Sequence, residues 1–156
     1  MKKFLIVLFV ACLPLSTGHA REIAVTMHAL TASGVGDAIG VIVVSETGNG
    51  LRMTPYLQNM QPGDFMFSIN ENVGCHSQIT AFETDIPGMA AGKALWHMPN
   101  MNVAADGMVT RSVEIANVRL TDLSQRTLVI SRTASPALAL LGFQTERVAC
   151  GSLELY

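Results

Sequence analysis

The chain has 156 residues, 49 % of them apolar and 14 % charged, with ten basic against twelve acidic side chains. That is enough for one domain with a hydrophobic core. A mildly acidic chain without a basic cluster is not built for nucleic acid, and nothing in its charge pattern suits a membrane surface.

The N-terminus reads as an export signal rather than as part of the fold. Lys2 and Lys3 precede an unbroken apolar run at 4–13, Pro14 breaks it, and Gly18-His19-Ala20 places small residues where a signal peptidase reads. The run is too short for a stable membrane anchor. Lipidation at Cys12 is the weaker alternative, since Phe9 stands where such a signal wants Leu. Cleavage after Ala20 leaves a single domain, 21–156, of 136 residues with a formal charge of −4 and no second membrane span. The expected location is the periplasm.

From there the periodicity favours strands. Ile23, Val25 and Met27 alternate with Ala24, Thr26 and His28, the pattern of a half-buried strand. Residues 34–37 read as a turn and 38–44 as a β-branched strand. The 46–50 stretch is a hairpin signal, because Gly and Asn tolerate the positive φ of tight turns. Residues 51–57 return, and Pro62-Gly63 turns into a strand at 64–70. Between 71 and 93 the pattern dissolves into a loop long enough to need a function or an anchor. Strands resume at 95–103, 109–118 and 128–130; 131–144 is irregular, with one helical turn or an apolar loop at 134–141, and 147–155 closes the chain. Eight short strands with Gly- and Asn-rich turns predict an all-β Greek-key barrel or sandwich.

Cys12 leaves with the signal, so Cys75 and Cys150 remain. In an oxidising compartment such a pair is most simply a disulfide, the alternative being two buried thiols. Mature His28, His76 and His97 match no metal-binding spacing, and no Ser/His/Asp array or phosphate-cradling glycine loop is present.

Three segments carry a family resemblance. They are GLRMTPYL at 50–57 with QPGDFMFSIN at 61–70, ALWHMP at 94–99 with ADG at 105–107, and LGFQTERVACG at 141–151. Together with the N-terminal strands, they make the chain resemble the bacterial copper/zinc superoxide dismutases over almost all of its mature length. The resemblance implies an eight-stranded Greek-key barrel of that type. It also implies a disulfide between the long loop and the last strand, at Cys75 and Cys150. Arg147 matches an arginine that guides the anionic substrate to copper. The alternative is that its five donors brace the neighbouring loop.

The same resemblance locates what is missing. Ser68 and Asn70 stand where the family places two copper histidines, Ser131 where it places another, and Phe65 where a supporting histidine usually sits. No Gly-Gly-His segment for the bridging histidine occurs between Cys75 and Trp96; Ala94 replaces a zinc histidine, and His97 the zinc aspartate. Imidazoles hold copper in both oxidation states, whereas Ser and Asn are poor neutral ligands. The reading is therefore a non-catalytic, superoxide dismutase-like envelope protein, a pseudoenzyme without cofactor that acts as a binding or structural module. It would be a monomer or homodimer, with 72–93 and 131–144 as places for a protein partner. The alternative is a copper-binding protein or metalloenzyme using a relocated site at His97, Met98 and Met101, with His76. Methionines also fill irregular cores, which is the competing account of Met98 and Met66.

Overall fold

The structure, a computed structural model, describes residues 21–79 and 85–154. The export signal at 1–20 lies outside the described residues, as do 80–84 of the long loop. Eight strands form one antiparallel sheet. They are β1 (Glu22–Thr31), β2 (Gly34–Thr47), β3 (Gly50–Leu57), β4 (Gly63–Asn70), β7 (Ala94–Val103), β8 (Val113–Ala116), β9 (Arg126–Thr133) and β10 (Thr145–Leu153). Two short strands, β5 (Gln78–Ile79) and β6 (Asp85–Ile86), pair with each other apart from this sheet.

The spatial order is β7-β4-β9-β10-β1-β2-β3-β8. The connections from β3 to β4 and from β8 to β9 therefore cross the barrel end, as a Greek key requires. The two outer strands, β7 and β8, are consecutive in the chain and approach each other, so the sheet nearly closes into a barrel. Period-2 alternation supplies the core. Val25 and Met27 of β1, Ile42 and Val44 of β2, Phe67 and Ile69 of β4 all point inward and are 0–4 % exposed. Each such side chain contributes roughly 1.5–3 kcal/mol by leaving water.

Several sequence-based boundaries move. Residues 34–37, expected as a turn, belong to β2, because the β1–β2 ladder continues through Leu30↔Val35 to Thr31↔Gly34. The strand expected at 109–118 shrinks to Val113–Ala116, with Val109 making one isolated bridge to Leu57. Residues 131–133 are not irregular but extend β9, held by pairing with β10. The loop at 71–93 is not structureless: it carries β5, β6 and a 3₁₀ turn at Met89–Ala91. After β9, a short helix α1 (Pro136–Leu140) starts with Pro at its first turn and with the Ser135 hydroxyl accepting the Leu138 N–H. Among the described residues no helix is long and apolar enough to cross a membrane.

Candidate metal face

Strand β4 has two faces with different chemistry. Phe65, Phe67 and Ile69 enter the barrel, so Ser68 and Asn70 must face outward. They do not reach water there. The 71–93 loop folds back over this face and leaves Ser68 8 % and Asn70 2 % exposed.

Registers assemble the rest of the face. Ser68 lies opposite His97 of β7 and Val129 of β9; Asn70 lies opposite Ala94 and Thr127. Ser131, 8 % exposed, sits between Met66 of β4 and Arg147 of β10. Ser68, Asn70 and Thr127 each have defined hydrogen-bond partners. Ser68 Oγ donates to Asn70 Oδ1 at 2.8 Å, and Asn70 Nδ2 donates to the Gly92 carbonyl at 2.8 Å. Thr127, fully buried, donates to the Asn72 carbonyl at 2.7 Å and accepts from the Gly74 N–H at 3.0 Å.

Beside this network lies a small apolar cluster outside the barrel: Ala91, Val129 and Cys150, with Leu30 and Cys75 against them. The cysteines form a disulfide, with an S–S distance of 2.00 Å, that ties the loop to β10 across 75 positions. Arg147 spans the same junction. Its Nη1 donates to the Gly88 carbonyl and its Nη2 to the Gly92 carbonyl. Burial lowers its pKa from the usual arginine value, since the charged form loses hydration.

The remaining candidates are not gathered into one site. His97 is exposed, whereas Met98 and Met101 are 6 % and 2 % exposed and belong to the barrel core, opposite Phe67 and Phe65. An irregularity in the β4–β7 register lets both methionines face inward although they are three residues apart. The relocated site considered at His97, Met98 and Met101 thus has its members on opposite sides of β7. His76 is exposed on the loop, where its backbone carbonyl accepts the Ala90 N–H. Met66, considered as inward-facing, is only half-buried. Among the described residues no three His, Cys, Asp or Glu side chains converge as a metal cluster would need.

Sequence reasoning missed Thr127, Val129, Gly88 and Gly92. A lone Thr at the head of the apolar run at 128–130, and paired glycines around Met89-Ala90-Ala91, were the available signals.

No family model matches the sequence. Curated relatives do. Superoxide dismutase [Cu-Zn] 2 of Salmonella typhimurium is 36 % identical over 93 residues, which is 60 % of this chain and only about half, 51 %, of that protein. Superoxide dismutase [Cu-Zn] 1 of Salmonella typhimurium is 29 % identical over 156 residues, covering 86 % of this chain and 88 % of the relative. The Escherichia coli K12 Cu-Zn enzyme is 26 % identical over the whole of its length and 99 % of this chain. The solution structure of the monomeric copper, zinc superoxide dismutase from Salmonella enterica matches with a TM-score of 0.73 at 28 % identity, over 86 % of this chain and all of that one. The chain is a divergent homologue of the copper/zinc superoxide dismutases. The Brucella abortus Cu/Zn enzyme, with a TM-score of 0.75 at 24 % identity over the same share, agrees on the fold.

Within that superoxide dismutase fold, the residues on the outer face of β4 do not fit copper. Copper that cycles by one electron is held by imidazole nitrogens. Here the Asn70 carbonyl oxygen already accepts from Ser68, and its amide is already given to Gly92. His97, opposite Ser68 on β7, brings a single exposed imidazole, while Val129 opposite Ser68 and Ala94 opposite Asn70 offer no side-chain donor atom. This face can hold a loop against a barrel. It lacks the donor set for redox chemistry.

Proposed function

We propose that this superoxide dismutase homologue is a non-catalytic protein of the bacterial envelope, a binding or structural module with neither a copper nor a zinc site. The observation that carries the reading is the Ser68–Asn70–Gly92 hydrogen-bond chain, which engages the side chains at two of the positions where the family resemblance places copper ligands. A buried set of unliganded histidines would be costly to keep, because desolvated polar groups need partners. Neutral side chains that pair with one another remove that cost.

Export with cleavage after Ala20 agrees with the disulfide, which persists in an oxidising compartment. Mass spectrometry of the mature protein should find Arg21 at its N-terminus; an intact Met1 would overturn that part. A protein partner would meet the surface of 72–93 or 131–144, where Ile79 and Leu140 are 76 % and 89 % exposed.

The deciding experiment is elemental analysis of protein purified from the periplasm without chelator, beside a superoxide dismutase assay. The expected result is metal below about a tenth of an equivalent, given the donor set, and no dismutation. Near-stoichiometric copper or zinc with activity would overturn the proposal.

A further inference from the structure

We infer that Asn70 and Arg147 form a carbonyl clamp, and that this clamp, not a metal ion, holds the second half of the 71–93 loop on the barrel. Two segments distant in sequence converge on one acceptor: the Gly92 carbonyl takes a hydrogen bond from Asn70 of β4 and another from Arg147 of β10. Arg147 also grips the Gly88 carbonyl, so its planar fork spans the two ends of the 3₁₀ turn at Met89–Ala91. The first half of the loop has a separate attachment, the disulfide at Cys75.

The turn is shaped for this grip. Gly88 and Gly92 both have φ of +73°, a conformation that disfavours side chains. A Cβ on Gly88 would come within 2.6 Å of the Leu30 side chain, and one on Gly92 within 2.6 Å of the Asn72 side chain. Close approach lets Ala91 bury itself completely against Val129 and Cys150. The Asn70 amide is aimed by Ser68, which holds its carbonyl oxygen from the other side. Asn70 therefore acts as a positioning residue for the loop, and Ser68 as a positioning residue for Asn70. That no metal shares this task rests on the proposed metal-free function, and the EDTA comparison tests it separately from the clamp.

Three amides report on the clamp. Ala91 N–H and Gly92 N–H donate to the Gly88 and Met89 carbonyls, and Ala90 N–H donates to the His76 carbonyl. Their hydrogen exchange should be followed by NMR in the mature, disulfide-bonded protein with and without EDTA. Wild type should show the same protection in both. Asn70→Leu keeps the branched shape of the side chain and removes its donor without adding a charge, so it tests the clamp even where Asn70→Ala fails to fold. It should speed exchange at these three amides by about tenfold, the effect of one lost hydrogen bond, and more than at amides of the β1–β2 ladder. Arg147→Ala, which removes one hydrogen bond from each of two carbonyls, should exceed it, and Arg147→Lys should recover part of the loss. Unchanged exchange in the Asn70→Leu and Arg147→Ala proteins, or an equal rise in loop and ladder, would overturn the clamp. Deprotection of wild type by EDTA would instead count against the metal-free reading, and against the clamp only where the variants are silent.

Discussion

The two faces of β4 answer to different rules. Inward, Phe65, Phe67 and Ile69 pack into a core where shape and apolarity suffice, and the fold matches the copper/zinc enzymes at a TM-score of 0.73 despite 28 % identity. Outward, Ser68 and Asn70 lie under a loop, where every polar atom needs a specific partner. A core tolerates apolar exchange when volume is kept. A metal face tolerates no partial exchange, because an incomplete ligand set leaves buried polar groups unpaired. One strand thus shares an architecture with the copper/zinc enzymes through its inner side, while its outer side is governed by hydrogen bonds to a loop.

The comparison can be broken most forcefully at its covalent point. Reduction of Cys75–Cys150, or the Cys75→Ser/Cys150→Ser pair, should cost roughly 4–5 kcal/mol in urea unfolding for a closure of this length. Next in size, Phe67→Ala should cost roughly 3–5 kcal/mol through the cavity it leaves in the barrel. On the outer face, Asn70→Ala strands the Ser68 hydroxyl and loses the Gly92 contact, a cost of about 1–3 kcal/mol. Should it equal Phe67→Ala, the claim that the inner face dominates stability would fail. Smallest is Glu114→Gln, which removes an exposed pair with Arg52 and should change stability by less than about 1 kcal/mol. EDTA should leave the melting temperature where it was; a large drop would show that metal supports the outer face after all.

Much of the inner face is legible from the chain alone. Alternation at 23–28, the hairpin signal at 46–50 and the Pro62-Gly63 turn before 64–70 place strands where the structure has them, because side-chain direction in a strand follows a period of two and turn residues mark its ends. The pattern is blind to pairing. It assigns residues 34–37 to a turn, yet the β1–β2 ladder carries them as strand, and it leaves 131–133 irregular although β10 pairs with them. It also sets Met98 and Met101 beside His97 as possible copper ligands, since spacing in sequence does not reveal the register irregularity that turns both methionines inward. The outer face was legible only as an inventory of residues that the family resemblance marked as substituted.

By itself, then, the sequence determined the alternation that makes a barrel, the two cysteines that span it, and the side chains that stand at Ser68, Asn70 and Ser131. Those are local or compositional facts, set by residue type and spacing. The tertiary structure decided that Asn70 and Arg147 meet on the Gly92 carbonyl, that Thr127 reaches the backbone of the loop, and that Val129 and Ala91 seal the space between. Such contacts join residues 22 to 55 positions apart in the chain. They exist only once the Greek-key crossings have brought β4, β9 and β10 side by side beneath the loop.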